Sequence, residues 1–327
     1  MSEPGAYRAL APAKINLGLF LGPVREADRR HELVTVMQSI SLADELTLQP
    51  ARAAGPGSAA GPGSAATPGS AAADELVCSG LALPGPPAEN LAMRALAAFR
   101  EATGWDAPPQ RLGLQKRIPV AAGLGGGSAD AAAALRLAHR ASGLGDEPLL
   151  RQLGAALGAD VPAQISPGRW LATGAGELLA ALPDPLPTLQ LLVLPSREQL
   201  STAEVYRAAD QLGLAREPRE LDQVRGQLRL ALELGAPMPP AQELLRNDLQ
   251  QAALSLQPAI GRALAAVGEA GAEVALLSGS GPTVLGLFGH ANAAGRVQRA
   301  IAALGDRDPA PLAASSVGAA FGAVERS

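Results

Sequence analysis

The sequence predicts a chain of mixed α-helices and β-strands in two domains, and three observations lead to this fold class. Apolar side chains alternate with polar or small ones along residues 15–21, which is the period of a β-strand. Residues 131–141 are strong helix formers followed by Gly143, a typical helix stop. A segment with three prolines, 182–187, separates two halves that are each long enough to build a core. We therefore expect one domain at residues 1–182 and a second at 183–327.

The composition excludes several classes of protein. Hydrophobic residues make up 47% and charged residues 18% of the chain, and the net charge is −4 with no basic tract. This balance argues against nucleic acid and anionic membranes as partners. Cys78 is the single cysteine, so no internal disulfide can form and we expect a cytoplasmic protein. Neither a signal peptide nor a transmembrane segment is expected, and three histidines with one cysteine argue against a zinc site.

The first half should form strands and helices in alternation. Expected strands are 7–10, 15–21, 32–42, 45–48, 76–83, 112–118 and 170–173, and expected helices are 90–102, 131–141 and 147–157. Along 15–21, Ile15, Leu17, Leu19 and Leu21 share one face. The same alternation places Lys14 and Asn16 together on the opposite face.

Residues 51–73 break this pattern. The hexad Gly-Pro-Gly-Ser-Ala-Ala at 55–60 recurs at 61–66 and, with Thr in first place, at 67–72. The repeat has no large apolar residue and cannot offset the entropy of ordering. We expect a disordered surface insertion in a hairpin connection, with a functional tether as the alternative.

The second half should begin with a strand at 189–194. A capping box at Ser201-Thr202-Ala203-Glu204 predicts a helix through residue 212. Further helices are expected at 220–234, 241–256, 258–270 and 291–304, and further strands at 273–277, 284–288 and 313–324. Between two of these strands, Gly279 and Gly281 make a small-residue loop that is either a tight turn or part of a site.

Residues 119–130, Pro-Val-Ala-Ala-Gly-Leu-Gly-Gly-Gly-Ser-Ala-Asp, lie between an expected strand and an expected helix. Glycines allow positive φ and a close approach to a ligand, and the helix N-terminus offers unpaired N–H groups. This context predicts a phosphate-binding loop, although 37 glycines in the chain also produce glycine-rich turns by composition. It is not a P-loop, because no Gly-Lys-Ser/Thr follows. We expect Ser128 to cap the helix, with its hydroxyl within reach of a metal or a phosphate oxygen.

Three charged residues are further candidates. Lys14 and Lys116 are the only lysines among 27 basic residues, so each stands where arginine does not. Lys116 precedes the glycine-rich segment, and both lysines are candidate site residues. Asp160 follows a helix end and precedes Val161-Pro162, where a turn residue and a catalytic carboxylate are both possible.

Three segments together resemble a known superfamily. Pro12-Ala13-Lys14-Ile15-Asn16-Leu17, residues 119–129 and Leu277-Ser278-Gly279-Ser280-Gly281-Pro282-Thr283 resemble, in order and spacing, the three motifs of the GHMP small-molecule kinases. The resemblance implies an α+β two-domain fold, with an N-terminal domain like domain 2 of ribosomal protein S5 and a ferredoxin-like C-terminal domain. It implies transfer of the ATP γ-phosphoryl group to a small-molecule alcohol, with Mg²⁺. The His in the turn after the first motif and Leu157-Gly158-Ala159-Asp160-Val161-Pro162 are closest to the branch acting on the 2-hydroxyl of 4-(cytidine 5'-diphospho)-2-C-methyl-D-erythritol, in the non-mevalonate isoprenoid pathway.

The resemblance also implies a role for each matching residue. Asp160 would be the base and Lys14 would stabilise charge. ATP would be held by the glycine-rich segment, namely Pro119, Val120, Ala121, Ala122, Gly123, Leu124, Gly125, Gly126, Gly127, Ser128 and Ala129. Ser128 would also contact the metal, and Lys116 could flank the adenine or the α-phosphate. Substrate would be held by Asn16, Arg30, His31, Thr202, Tyr206, Gly279 and Ser280. Arg30 departs from the family pattern, which has an aromatic there; its plane could stack on a base and on Tyr206, or base recognition could be weakened.

Two alternatives to this function are open. The chain could be a homoserine- or mevalonate-type kinase of the same superfamily, or a non-catalytic nucleotide- or sugar-binding sensor on this fold. The pair Asn16 and His31 favours the cytidine branch over the first, and the retention of Lys14 and Asp160 argues against the second. A monomer and a homodimer are both compatible with the sequence.

Overall fold

The computed structural model describes residues 5–51, 73–239, 241–289 and 291–327. The repeat expected to be a disordered insertion, 51–73, lies outside the described residues except for its first and last positions. None of the helices in the described ranges combines the length and the apolar character that crossing a bilayer requires.

The first sheet is built mainly from the first half of the chain. Its strands are β1 (Tyr7–Val24), β2 (His31–Pro50), β3 (Glu75–Gly80), β4 (Gln110–Lys116), β5 (Arg169–Thr173), β6 (Leu178–Leu182) and β11 (Glu325–Arg326). They run in the order β11-β1-β2-β4-β3, and β5 pairs with both β2 and β6. Only the β3–β4 pair among these is parallel. The helices of this half are α1 (Leu91–Thr103), α2 (Gly126–Ser142), α3 (Glu147–Leu157) and α4 (Val161–Ile165).

Helix α2 is central to the packing of this half. Its buried side chains are mostly alanines, which contact Leu112 and Leu114 of β4 and Leu96 and Phe99 of α1. Alanine loses no side-chain entropy and lets neighbouring backbones approach closely, so α2 lies deep between sheet and helices. Its N-terminus follows β4 through the glycine-rich segment.

The second sheet comes from the second half. Its strands β7 (Gln190–Leu194), β8 (Val274–Leu277), β9 (Val284–Leu287) and β10 (Leu312–Ser315) are antiparallel in the order β10-β7-β9-β8. Its helices are α5 (Thr202–Leu212), α6 (Pro218–Leu232), α7 (Gln250–Leu256), α8 (Ala259–Glu269) and α9 (Ala293–Leu304). The two sheets share a core in which Ile15 and Val36 of the first pack with Val193 and Leu285 of the second.

Strand β1 differs from its prediction. Residues 7–10 and 15–21 belong to one continuous strand, and its pairing with β2 shifts register between Pro12 and Lys14 and again between Asn16 and Gly18. An extra residue at a bulge turns the following side chains to the other face. Ile15 and Leu17 consequently lie in the core between the sheets, whereas Leu19 and Leu21 pack against the helices of the second half.

Four other local predictions are wrong. Helix α2 begins at Gly126 with Gly125 as its N-cap, so Ser128 lies inside the first turn and is not the cap. The side chain of Ser201 makes no capping hydrogen bond. The expected helix 241–256 is a 3₁₀ turn (Gln242–Leu244) followed by α7, and the expected strand 313–324 is β10 followed by a second 3₁₀ turn (Ala319–Gly322). Helix α4 and strand β6 were not predicted.

Candidate active site

The glycine-rich segment forms a loop between β4 and α2, and we call residues 117–125 the first loop. Ala121, Gly123 and Gly125 have φ of 54°, 74° and 65°. A Cβ on Gly123 would lie 2.6 Å from the carbonyl oxygen of Ser278, and one on Gly125 would lie 2.9 Å from Cγ of Lys14. Glycine is therefore required at both positions, by conformation and by space.

The first loop delivers the N-terminus of α2 to the surface of a cavity. Gly125 precedes the helix and has no side chain to cap it, so the first amide N–H groups of α2 have no side-chain partner from their cap. A helix N-terminus with free N–H groups attracts anions through these donors and through the helix dipole. The N-terminus of α2 thus has the features expected of a phosphate-binding element, and phosphate binding there stays a prediction.

Lys14 lies directly beside this loop. Its backbone N–H donates to the carbonyl of Leu124 (2.9 Å), and its Nζ donates to Oδ1 of Asn16 (2.9 Å). Asn16 in turn donates to the hydroxyl of Thr35 (2.8 Å), which donates to the carbonyl of Gly18 (2.6 Å). This chain of hydrogen bonds holds the buried ammonium in one place.

The side chain of Asp160 forms an ion pair with that of Lys14. It lies between α3 and α4, and its Oδ2 is 3.4 Å from Nζ of Lys14. The side chain of Lys14 is 9% exposed, and that of Asp160 is 36% exposed. The carboxylate is therefore paired but still accessible from the cavity, a combination that suits contact with a ligand.

A second loop, residues 278–283 between β8 and β9, closes against the first. The hydroxyl of Ser278 donates to the carbonyl of Gly123 (3.2 Å), and the hydroxyls of Ser280 and Thr202 are 2.8 Å apart. Gly279 has φ of 57°, and a Cβ there would lie 3.3 Å from Oδ1 of Asn16. The small residues let the second loop approach the Lys14–Asn16 pair.

These elements surround a cavity of about 690 Å³. It brings together all nine residues predicted for catalysis and substrate, which are Lys14, Asn16, Arg30, His31, Asp160, Thr202, Tyr206, Gly279 and Ser280. Ser128, predicted to contact ATP and the metal, lines it as well. We call it the large cavity.

A second cavity of about 360 Å³ lies on the other side of the first loop. Residues Pro119 to Ser128 line it, together with Leu83, Asn90 and Leu91. Gly123, Gly125 and Ser128 border both cavities, so an extended ligand can reach from one to the other past the loop. Ala129 lines neither: it is fully buried in the core and its N–H donates to the carbonyl of Gly125. The prediction of Ala129 as a ligand contact is therefore not supported by its position.

His31 and Tyr206 form one wall of the large cavity. Their ring centroids are 5.4 Å apart at an interplanar angle of 42°. Nδ1 of His31 is 2.8 Å from the carbonyl oxygen of Gly22, and Nε2 is 3.0 Å from Oδ1 of Asp210. Burial, followed by the charge of Asp160, raises the pKa of Tyr206 to about 12, so its phenol stays neutral and can donate a hydrogen bond.

Arg30 lines the same cavity but is not free. Its Nη2 donates to the carbonyl of Ala175 (2.8 Å), while Arg25 bridges Asp28 and Glu177. The turn before β2 is thereby clamped to the turn after β5. The expected stacking of Arg30 on a base and on Tyr206 stays a prediction.

Lys116 lines the second cavity, as does Asp130. It is 3% exposed, and its Nζ contacts a carboxylate oxygen of Asp44 and one of Asp130. Burial lowers the pKa of Lys116, but the two carboxylates more than offset it and the net shift is upward. Asp44 also accepts the N–H of Ile118 (2.8 Å), so this buried cluster anchors the start of the first loop.

Sequence reasoning missed two residues that shape the site. Asn247 is buried, and its Nδ2 donates to the carbonyls of Leu277 (2.8 Å) and Gly279 (2.7 Å), which fixes the second loop. It fell inside an expected helix, and the adjacent pair Asn247-Asp248 was the only local signal. Asp210 contacts His31, and its spacing of four from Tyr206 and eight from Thr202 on one helix could have revealed it.

Family models and relatives of known name agree on the family of this chain. The model described as GHMP kinases N terminal domain matches residues 90–168, and that described as GHMP kinases C terminal matches residues 228–307. The chain is 40% identical over 281 residues to 4-diphosphocytidyl-2-C-methyl-D-erythritol kinase of Anaeromyxobacter dehalogenans (strain 2CP-C), covering 85% of this chain and 80% of that relative.

Solved structures agree with this similarity. A crystal structure of 4-(cytidine 5'-diphospho)-2C-methyl-D-erythritol kinase matches with a TM-score of 0.68 and 32% identity, over 95% of this chain and 99% of that chain. Homoserine kinase from Cytophaga hutchinsonii matches with a TM-score of 0.69, over 99% of both chains, but at 16% identity. That second likeness extends to the fold alone.

Proposed function

The chain belongs to the GHMP kinase family, and from this membership we propose that it transfers the γ-phosphoryl group of ATP to the 2-hydroxyl of 4-(cytidine 5'-diphospho)-2-C-methyl-D-erythritol, giving the 2-phosphate and ADP. This reaction belongs to the non-mevalonate isoprenoid pathway. The observation that carries the proposal is 40% identity, over most of the chain, to a kinase named for this substrate. The geometry of the large cavity supports it independently.

In this proposal Asp160 accepts the proton of the alcohol. Phosphoryl transfer needs positioning, charge stabilisation and an oriented nucleophile more than covalent chemistry by the protein. The accessible carboxylate of Asp160 lies beside the first loop and next to the ammonium of Lys14. A hydroxyl between Asp160 and the bound γ-phosphate would donate its proton to the carboxylate as its oxygen attacks phosphorus.

Lys14 supplies positive charge where negative charge accumulates on the transferred group. Its Nζ is held by Asn16 and Asp160, and a Cβ on Gly279 of the second loop would lie 3.5 Å from it. A fixed ammonium in a partly dry cavity stabilises the transition state without reorganising. Asn16 keeps that ammonium aimed at the phosphate site.

ATP is held by the first loop and the N-terminus of α2. The triphosphate would lie along residues 123–128, because Gly123, Gly125 and Ser128 border both cavities, and the nucleoside would occupy the smaller cavity. Ser280 and Gly279 close the phosphate site from the second loop.

The residues present also fit a magnesium ion. Within the described ranges, no group of three or more His, Cys, Asp or Glu side chains could hold a metal by itself. Mg²⁺ does not need one, since it keeps several waters and binds mainly through substrate phosphates and one or two protein oxygens. The hydroxyl of Ser128, which borders both cavities, would be such a ligand, and the ion would neutralise part of the triphosphate charge.

The cytidine end of the substrate fits the wall made by His31 and Tyr206. Two rings tilted against each other offer a flat heterocycle both an apolar face and a polar edge. The guanidinium of Arg30 and the hydroxyl of Thr202 add polar groups suited to the diphosphate and ribose. Homoserine and mevalonate have no nucleobase to pack against this wall, so the wall favours a nucleotide-linked alcohol over both.

Product analysis tests the proposal. The purified protein is incubated with ATP, Mg²⁺ and the cytidine-diphospho-methylerythritol, with homoserine and mevalonate in parallel, and ADP release and the ³¹P NMR spectrum of the product are measured. We expect ADP release with the cytidine compound alone and a new phosphate monoester at its 2-position. Turnover of homoserine or mevalonate instead would overturn the substrate assignment, and binding of ATP without turnover of any alcohol would favour the sensor alternative.

The oligomeric state and the cytoplasmic location stay predictions. Gel filtration with light scattering would decide between monomer and homodimer.

A further inference from the structure

Asp160 occupies the N-cap position of the short helix α4, yet its carboxylate does not cap that helix. Aspartate at an N-cap commonly accepts a backbone N–H of the first turn. Here the carboxylate lies 3.4 Å from Nζ of Lys14 instead. The separation of these two charged groups therefore depends on how α4 is placed against β1, the strand that carries Lys14.

Gln164, four residues after Asp160, ties α4 to that strand. It is 1% exposed, and its Nε2 donates to the carbonyl of Pro12 (3.1 Å), two residues before Lys14. Its Oε1 accepts the hydroxyl of Ser39 (3.4 Å), which belongs to the residue of β2 directly opposite Lys14. The carbonyl of Pro12 can only accept, so this contact also fixes the orientation of the amide. One buried amide thus joins α4 to both strands of the pair that contains Lys14.

The tie reaches the strand pair at an irregular place. The register of β1 against β2 shifts between Pro12 and Lys14, and the ladder of hydrogen bonds is locally disrupted at such a shift. The amide of Gln164 supplies a donor to the backbone there. The hydroxyl of Ser39 also accepts the N–H of Gly168 (3.1 Å), so the segment that follows α4 is held at the same point.

No other residue of α4 can make this contact through its side chain, because Val161, Pro162, Ala163 and Ile165 are apolar. The second contact of the helix leads elsewhere. Nη1 of Arg151 donates to the carbonyl of Pro162 (2.7 Å), which joins α4 to α3 and not to β1.

We propose that Gln164 is a positioning residue for the transfer: it sets the separation of the Lys14 ammonium and the Asp160 carboxylate without touching the substrate. The proposal rests on the proposed function, which gives those two groups their roles. Gln164 lines neither the large cavity nor the second cavity, so it acts through the charged pair. Because a displacement of about 1 Å at reacting groups can cost up to about 10²-fold in rate, a loosened tie should lower kcat and leave substrate affinity in place.

Kinetics of Gln164→Met test this role. Methionine keeps the length and apolar volume of the side chain but removes the amide donor and acceptor. We expect kcat to fall about tenfold, while the KM values for ATP and the cytidine substrate stay within about twofold. In an Asp160→Asn background the same substitution should change kcat by less than about twofold, because the group that Gln164 positions is already lost.

Gln38→Met is the matched control. Gln38 is fully buried; its amide donates to the carbonyls of Ser39 and Val317 and accepts from Arg169. None of these contacts involves α4, so kcat should stay within about twofold even though denaturant unfolding shows a lower midpoint. An unchanged kcat in Gln164→Met, an equal fall in Gln38→Met, or a full additional fall in the Asp160→Asn background would each overturn the proposal.

A milder variant covers the case in which Gln164→Met does not fold. Ser39→Ala removes one contact of the tie and should lower kcat about two- to threefold with unchanged KM values. A kcat equal to that of the unsubstituted protein would count against the tie.

Crystal structures of the two glutamine variants give a readout without turnover. The distance from Nζ of Lys14 to Oδ2 of Asp160 should exceed about 4 Å, the limit of an ion pair, in Gln164→Met and stay near 3.4 Å in Gln38→Met. The same distance in both variants would contradict the inference. If the unsubstituted protein phosphorylates no alcohol while the distance changes as expected, the proposed function is wrong and the tie still stands. If it is an active kinase and Gln164→Met matches it, the tie is wrong and the proposed function stands.

Discussion

The chain's two lysines lie on opposite sides of the same glycine-rich loop, and each meets carboxylates. Lys14 faces the large cavity and is 3.4 Å from one oxygen of Asp160, whose side chain is 36% exposed. Lys116 lies beneath the loop against Asp44 and Asp130, and all three side chains are at most 2% exposed. The same pair of chemical groups thus occurs once at a surface that a ligand can reach and once inside the core.

The two clusters differ in how exposed their carboxylates are. The carboxylate of Asp160 is partly exposed and lines the large cavity, so it is open to a ligand there. In the buried cluster the ammonium is paired with two carboxylates and Asp44 also accepts backbone N–H groups of the loop, although Lys116 and Asp130 line the second cavity. Lysine chemistry alone made both residues candidates: Lys14 lines the large cavity, and Lys116 lines the second cavity with its ammonium held by two carboxylates.

The largest expected effect follows from breaking the buried cluster. Lys116→Met leaves two carboxylates in the core without their cation and should lower the free energy of unfolding by about 3–5 kcal/mol. Denaturant unfolding measures this change. Arg117→Met is the matched control: its guanidinium is 46% exposed and pairs with Glu45 at the surface, so it should cost about 0–1 kcal/mol. Equal unfolding midpoints for the two variants would contradict the anchoring role.

Breaking the pair at the cavity should have the opposite signature. Lys14→Met removes a cation from the phosphate site, and we expect kcat to fall about 10²–10³-fold, as for other fixed charges and donors at a transition state. The unfolding midpoint should change far less than in Lys116→Met. Steady-state kinetics measures kcat, and denaturant unfolding of the same preparation measures the midpoint. A Lys14→Met variant with a much lower midpoint and an unchanged kcat would contradict the role given to Lys14.

A smaller effect is expected from the support of the second loop. Asn247→Ala removes two donors and leaves the carbonyls of Leu277 and Gly279 without them, so the loop that borders Lys14 should shift. We expect kcat/KM to fall about tenfold, since small misplacements near reacting groups are costly. Gln250→Ala is the control, because Gln250 only accepts the N–H of Leu277 at 3.1 Å, and it should change kcat/KM by less. Unchanged kinetics in Asn247→Ala would remove it from the site.

The smallest effect is the pH dependence of the buried cluster. Burial, opposed by Lys116 and reinforced by Asp44, raises the pKa of Asp130 from 3.8 to about 7. Between pH 5 and 7 the folded chain therefore binds more protons at Asp130 than the unfolded chain, so stability falls as pH rises through this window and levels off above it. We expect a decline on the order of 1 kcal/mol in the unfolding free energy, which Asp130→Asn abolishes. A stability that instead rises from pH 5 to 7 because of Asp130 would contradict the sign.

Local features of the fold could be predicted because local patterns determine them. The glycine-rich segment between a strand and a helix, and the shared face of Lys14 and Asn16, follow from periodicity and from the freedom of glycine. The cap of α2 was misplaced because Gly125, at φ of 65°, makes the turn that Ser128 was expected to make. Similarly, the expected helix 241–256 is interrupted where Asn247 and Asp248 form hydrogen bonds to β1 and the second loop.

The contacts within the site could not be predicted from local sequence patterns. Lys14 and Asp160 are far apart in sequence, and only the resemblance to a kinase family predicted that they meet. Asn247 and Asp210 escaped prediction because each acts through a contact with a distant segment, which no property of its own neighbourhood reveals. The pairing of β11 with β1, which returns the chain end to the first sheet, is likewise a long-range contact of two residues per strand.

The measurement that tests the account most directly is the turnover of Asp160→Asn together with its affinity for ATP. If Asp160 is the base, the variant should fold normally and bind ATP with an unchanged Kd, yet form ADP from ATP and the cytidine substrate at least about a hundredfold more slowly. Turnover near that of the unsubstituted protein would contradict the account, because the carboxylate beside Lys14 would then have no part in the transfer.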